Sequence, residues 1–459
     1  MVPQTAPVST RRRLFGPGWP IRFLLLGFPL WWMLGATSFI LILLAIPMGY
    51  WLVRHRPIVV PPAFGWWLLF LVCVVASGVM LGETAPGTID GTFMARIPAF
   101  VLRLLKYLAA TIVMLFVINL SEKDLPTRRL VRMQAVFFVV VVTGGLAGTF
   151  FYDVEITSPL ELVAPSFITA NPFASSMLHL SLAQVQGVLG YEAPRPSAPF
   201  EFTNTWGNCL SLLMVWFVVF TWAWGGTKRR ALCAAVLAAS AIPIIYSLNR
   251  GLWIALAVAV LYLCVRAAMR GRVQMILGFA CATAVAASVI VMSPLYGVIQ
   301  ERLANPHSNE ARMNTSTAAV TAASSSPILG YGSTRAVIGS AQTIAVGRSP
   351  SCPQCGNAQV GGAGQLWLLL IAQGFVGLVL YVGFFVRTLW IYRHDHSTTG
   401  MAAFLVILLG LVYLPVYGAV GVPLTFNMIA VALLWRQRQA AAASPVPAGL
   451  RHSELRQAL

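Results

Sequence analysis

Arg250 stands in the stretch Ser247-Leu248-Asn249-Arg250-Gly251, between two apolar runs that each read as a membrane span. A guanidinium there is costly in hydrocarbon, so its presence marks a site. Arg195 and Arg312 supply two more cations in polar segments of the same side. Arg96, Arg103 and Lys106 recur at spacings of seven and three, so they share one helix face, with Arg103 and Lys106 inside the span expected at 98–120. No carboxylate lies within a turn or two of that pair. The six cations are expected to pool in one electropositive, outward-facing pocket, and the forked guanidinium suits the oxygens of a diphosphate. Three plainer readings stand beside this one: Arg195 pairing with Glu201 as a loop strut, Arg312 at the headgroups on an amphipathic helix, and Lys106 snorkelling to the surface.

A group that accepts a proton is harder to place. His307 lies beside Glu310 and Arg312, and an unperturbed imidazole titrates close to working pH, so His307 is the leading candidate general base, with Glu310 a secondary catalytic candidate. His307 as a capping or headgroup-facing residue is the alternative. Glu201 and Gln365 are secondary candidates. Asp153-Val154-Glu155 places two carboxylates two residues apart, a spacing that can share a cation, but one such pair at a span end is a weak metal signal.

The elements that must position these groups are membrane helices. The chain has 459 residues, 58% hydrophobic and 10% charged, with repeated apolar runs of roughly 20 residues, the length that crosses a bilayer as helix. Nothing shows the short apolar/polar alternation of a membrane barrel. The expected fold is an all-α polytopic membrane bundle of about twelve transmembrane helices. The stretch 23–53 is read as a hairpin of two short spans broken near 34–38. Further spans are expected at 63–82, 98–120, 134–152, 206–226, 231–248, 252–265, 274–293, 366–386, 401–418 and 422–435.

Seven of the connecting and terminal segments, beginning with Arg11-Arg12-Arg13 and ending with the tail after Arg436, hold 22 of the 31 basic residues and four acids. Placing those on the cytoplasmic side, both termini included, accounts for the whole net charge of +18 as a topology signal and an attraction to anionic lipid. It is no evidence for nucleic acid. The chain divides into a basic cytoplasmic N-terminus (1–22), helices one to nine (23–293) with an external loop at 152–205, a large extracytoplasmic loop with short helices (294–364), helices ten to twelve (365–435), and a flexible cytoplasmic tail (436–459). Long structured loops on a rigid bundle are where function concentrates. Cys352 and Cys355 form a C-x-x-C pair in the large loop, open to a local disulfide, free thiols or half a metal site.

At these residues the chain resembles the O-antigen ligase and O-antigen polymerase superfamily of bacterial membrane glycosyltransferases. The resemblance rests on the span layout, Pro-Leu-Trp-Trp at 29–32, the Arg195 to Asn204 segment, Ser-Leu-Asn-Arg-Gly at 247–251, the large loop, and Gly374-Phe375-Val376-Gly377. It implies transfer of a glycan from an undecaprenyl diphosphate carrier to an acceptor hydroxyl on a glycan, lipid or protein, at the outer side of the cytoplasmic membrane, with no metal or other cofactor. Carried over, Arg195, Arg250 and Arg312 would hold the diphosphate. The family commonly places a catalytic histidine just before the Gly-x-x-Gly span, where this chain reads Gly361-Gly362-Ala363-Gly364-Gln365. A lipid-linked glycan flippase is the competing class, and it would be expected to show broken helices and polar groups at mid-membrane.

Overall fold

The computed structural model describes residues 16–166, 175, 177–186, 191–304, 307–337 and 358–443. Cys352 and Cys355, Arg11 to Arg13, and the tail beyond 443 lie outside the described residues. Apolar composition over long uninterrupted stretches forces helix, because in hydrocarbon only a helix satisfies its own backbone groups. Among the described residues, eight helices are long and apolar enough to cross a membrane: Thr37–Arg54, Phe64–Gly82, Phe93–Asn119, Thr127–Phe150, Thr203–Ala223, Thr227–Tyr246, Arg250–Ala268 and Gln365–Tyr392. A ninth arises if Ile276–Val291 and Leu295–Ala304, bent by 87°, form one broken span.

The other expected spans are also helical but short or buried. The first hairpin resolves into α1 (Trp19–Leu26), α2 (Phe28–Met33) and α3 (Thr37–Arg54), broken at Gly27 and again across Leu34–Ala36. Then follow α4 (Phe64–Ala76), α5 (Phe93–Asn119) and α6 (Thr127–Phe150), with the Thr92 side chain capping α5 at Ala95 N. Beyond an irregular segment come α8 (Thr203–Val218), α9 (Thr227–Tyr246), α10 (Arg250–Ala268) and α11 (Val273–Val291). Two shorter polar-loop helices, α12 (Leu295–Ala304) and α13 (His307–Ser325), precede α14 (Gln365–Tyr392), α15 (Thr398–Tyr413) and α16 (Val422–Ala443).

The core is organised around the last helix. Leu424, Phe426 and every residue from Met428 to Leu434 are at most 1% exposed, because α5, α8 and α15 pack against α16. A helix apolar on all sides has no solvent face to keep, which suits a central position. In contrast, α11 exposes Val273, Leu277, Val285 and Val289 at the periphery.

The segment between α6 and α8 folds on one end of the bundle. It holds β1 (Glu155–Ile156) paired antiparallel with β2 (Leu180–Ser181), the one-turn helix α7 (Pro159–Val163), and β3 (Ala183–Gln186) paired with β4 (Ala193–Pro196). A third ribbon joins β5 (Arg335–Val337) to β6 (Ala358–Val360).

One break in the helices is decisive. Within α14, Gly374 takes φ 64°, ψ −167°, a conformation essentially confined to glycine. The interruption frees backbone groups that the segment Ser326–Gly332 satisfies. Tyr331 N donates to Ile371 O at 2.7 Å, Gly332 N donates to Ala372 O at 2.9 Å, and Pro327 O accepts from Phe375 N at 2.8 Å. Non-helical backbone inside a bundle persists only where protein re-satisfies it, and here a loop does so.

Candidate functional site

The hairpin β3–β4 sets Gln184 opposite Arg195. Arg195 is 5% exposed, and its three nitrogens have separate partners. Nε donates to the Ser247 carbonyl at 2.6 Å, Nη1 to Gln186 Oε1, and Nη2 to Asn204 Oδ1 at 3.4 Å. The strut to Glu201 considered from the sequence does not form. Glu201 Oε1 instead accepts from Thr37 Oγ1 at 2.6 Å and Ser38 Oγ at 2.9 Å.

The turn between α9 and α10 is strained and clamped. Leu248 has φ 54°, unfavourable for a side chain with Cβ, and is buried against Ala193 and Val298. Arg302 Nε donates to the Leu248 carbonyl at 3.1 Å, next to the Ser247 carbonyl held by Arg195. Asn249 then caps α10 by accepting from Leu252 N at 3.3 Å, which puts Arg250 at the first helical position.

Arg312, on α13, donates to the Val416 carbonyl at 3.1 Å. Its charge is felt by Arg195 and Arg302, Arg302 also feels Arg250, and Tyr417 is the common neighbour of Arg195, Arg302 and Arg312. The backbone N–H groups of Gly251 and Leu252, at the positive end of α10, face the Tyr417 hydroxyl. A Cβ at Gly251 would stand 2.6 Å from that oxygen, so the close approach needs glycine.

Four guanidiniums therefore converge at one helix N-terminus. Burial pushes Arg195 down to about 10; Tyr417 opposes the shift, and Arg302 and Arg312 add to it. Burial lowers Arg312 in the same way, opposed by Tyr417 and reinforced by Arg250. Both remain cationic at neutral pH. A helix dipole and several guanidiniums at one place give this end of α10 a concentrated positive charge.

Beside the cluster lies a cavity of about 410 Å³ whose wall mixes polar groups with apolar ones such as Leu41, Phe202 and Leu368. Its lining includes Lys106 from α5, Thr37 and Ser38 from α3, Gln184 and Gln186 from β3, Glu201, Asn204 and Thr205 at the start of α8, and Gly418 and Gly421 between α15 and α16. Gln186 and Asn204 line the cavity and bond Arg195, so the two sites share a wall.

The six cations expected to form one pocket divide. Arg195, Arg250 and Arg312 come together, and Lys106 joins them across the cavity. Arg96 and Arg103 lie apart: Arg96 Nη1 donates to the carbonyls of Leu81 at 2.8 Å and Glu83 at 3.0 Å, and Arg103 Nη1 to that of Gly332 at 3.4 Å. Their neighbour is Arg335, 1% exposed, which donates to the carbonyls of Met80, Glu83, Tyr331, Ser333 and Thr334. Burial holds Arg335 down to about 10, with Arg96 adding to the shift. Its two terminal nitrogens bond five carbonyls, which makes this guanidinium a brace that ties residues 331–335 to the turn at 80–83 that follows α4.

His307 and Glu310 lie in the first turn of α13, and their side chains fall outside the described residues. Gln365 is fully buried as a tie, donating to Tyr107 Oη at 2.9 Å and accepting from Ala419 N at 3.1 Å. Glu155, of the Asp153–Glu155 pair, lies 3.5 Å from His179 Nε2, whose Nδ1 is 3.0 Å from Glu161. Among the described residues, no group of three or more His, Cys, Asp or Glu is arranged to hold a metal ion.

Sequence reasoning missed Arg302 and Tyr417. Arg302 is one charge in a short loop helix, and its burial, at 5% exposure, is what distinguishes it. Tyr417 carried no signal at all. The chain matches no known family model, no curated protein and no solved structure.

Proposed function

We propose that this protein is a membrane glycosyltransferase resembling the O-antigen ligases and polymerases. In this reading it moves a glycan from an undecaprenyl diphosphate carrier to an acceptor hydroxyl. The observation that carries the reading is the convergence of Arg195, Arg250, Arg302 and Arg312 on the α10 N-terminus, beside a cavity lined in part by Lys106, Glu201 and three side-chain amides. Diphosphate is the leaving group that such a cluster would stabilise as the sugar–phosphate bond breaks. With the Lys/Arg-rich segments in the cytoplasm, about twelve spans place both termini inside and the arginine cluster at the outer side of the cytoplasmic membrane. The donor then reaches the cluster from the bilayer, and the acceptor is a glycan, lipid or protein. Charge stabilisation by guanidinium takes the part that a metal ion plays in many glycosyltransferases, and His307, Glu310 and Glu201 are the candidate acceptors of the hydroxyl proton.

The test is release of carrier diphosphate and formation of glycosylated product by purified protein given a polyprenyl diphosphate-linked oligosaccharide, with and without chelator. Arg250→Ala, Arg195→Ala and His307→Ala are compared with wild type. Full turnover in all three would refute the site. The second reading, a lipid-linked glycan flippase, is favoured by one observation, the interruption of α14 at Gly374, since broken helices are a transporter trait. Donor crossing the bilayer of a proteoliposome without product would select it.

A further inference from the structure

Among the described residues, the cavity beside the arginine cluster has one carboxylate in its lining, that of Glu201. Glu201 sits on the short path from β4 into α8, two residues before the first helical residue, Thr203. Both hydroxyls that hold it, from Thr37 and Ser38 in the first turn of α3, donate to the same oxygen, Oε1. A carboxylate gripped at one oxygen is fixed in orientation and still has acceptor capacity at the other.

The remaining polar lining has the opposite character. Gln184 uses its amide oxygen to accept from Thr203 N at 3.2 Å, Gln186 uses its own to accept from Arg195 Nη1, and Asn204 uses its own to accept from Arg195 Nη2 at 3.4 Å. With three carbonyl oxygens engaged by the protein, the three amide NH2 groups are the donors left for a ligand. Lys106 adds a cationic donor that attracts Glu201 electrostatically. A wall of donors around one fixed carboxylate is complementary to a molecule rich in hydroxyl oxygens that must lose one proton. Arg195 links this wall to the diphosphate cluster, because two of the three amides are its partners.

We propose that this cavity is the acceptor subsite, taking a hydroxylated saccharide acceptor, and that Glu201 is the catalytic base of the transfer. The proposal rests on the glycan-transfer reading above. In the step, the acceptor oxygen bonds to the anomeric carbon as the bond from that carbon to the phosphate oxygen breaks. The bonding pair leaves with the polyprenyl diphosphate at the arginine cluster. The acceptor proton passes to the Glu201 carboxylate and from there to water. Among the described residues, Lys106 from α5 and Cys209 from α8 are the titratable groups that interact with Glu201.

The experiment uses full-length protein added to cell-envelope fractions from source cells lacking the gene, which contain both lipid-linked donor and acceptor. The readout is polyprenyl diphosphate released in a single turnover as pH is varied, with binding of undecaprenyl diphosphate measured separately. Glu201→Gln keeps an amide oxygen for Thr37 and Ser38, so its melting temperature and carrier binding should match wild type while the rate falls about 100-fold or more. Glu201→Ala should regain part of the rate on addition of formate, which a purely structural role would not produce. Wild-type rates in Glu201→Gln, or no response of Glu201→Ala to formate, would overturn the base assignment and leave the transfer reading standing. No carrier release by the wild-type protein would overturn both.

Discussion

Arg195 and Arg302 hold adjacent carbonyls of a single turn: Arg195 Nε donates to Ser247 O at 2.6 Å and Arg302 Nε to Leu248 O at 3.1 Å. Between them Leu248 is kept at φ 54°, and the turn delivers Arg250 to the first position of α10. Strain of this kind persists only where surroundings over-determine it, and it concentrates at functional sites. The two clamping arginines thus act on the third through the backbone.

Arg302→Ala removes one clamp and leaves the buried Leu248 carbonyl without its donor. The expected loss is about 1–3 kcal/mol of stability, the cost of an unmet buried acceptor, together with weaker carrier binding. Arg302→Lys should recover little, since an ammonium lacks the planar fork. Melting temperature in detergent and undecaprenyl diphosphate affinity check both; an unchanged pair of values would show that the turn holds itself.

Gly251→Ala would place a methyl group 2.6 Å from the Tyr417 oxygen and push that ring away from the α10 N-terminus. Carrier release should fall at least tenfold with modest loss of stability, and Tyr417→Phe should keep the packing while removing the hydroxyl. Comparing rates of the two variants separates displacement of the ring from loss of its oxygen.

Gly374→Ala forces a Cβ into a glycine-only conformation and to within 2.5 Å of the Pro327 carbonyl. A destabilisation of about 2 kcal/mol or more is expected, with faster proteolysis near Pro327 as the Ser326–Gly332 segment leaves α14. Gly278 in α11 has open space where a Cβ would stand, with nothing within 4 Å, so Gly278→Ala is the matched control and should be neutral or slightly stabilising.

The arginine cluster also predicts a pH response. Arg195 titrates near 10 in the folded protein, below its ordinary 12.5. A base whose folded value is depressed loses its proton first in the folded state, so this group costs stability at a constant level below about pH 10, and that cost is relieved as pH rises from about 10 towards 12.5. Its charge is complete at neutral pH. Carrier affinity should therefore be level from about pH 7 to about pH 9 and fall as pH passes 10, by titration calorimetry; a decline beginning near pH 7 would point to a histidine instead.

Much of the fold was legible because hydrocarbon leaves a chain few choices. Runs such as 98–120 and 366–386 must be helical wherever they sit in the bundle, and the helices at 93–119 and 365–392 contain nearly all of them. The spacing of Ser247 to Gly251 likewise announced an interruption with an arginine in it.

What the sequence by itself determined, then, was helical class, the approximate positions of the apolar segments, and which cations stand where lipid would reject them, since each depends on local composition alone. Tertiary structure decided which cations meet. Arg103 and Lys106 are three residues apart on one helix, yet Arg103 turns to the Gly332 carbonyl while Lys106 lines the cavity with Glu201. Arg195, Arg302 and Arg312 are brought to Tyr417 as a shared neighbour from separate elements, because contacts between helices and loops are set by packing of whole elements, about which residue spacing carries no information.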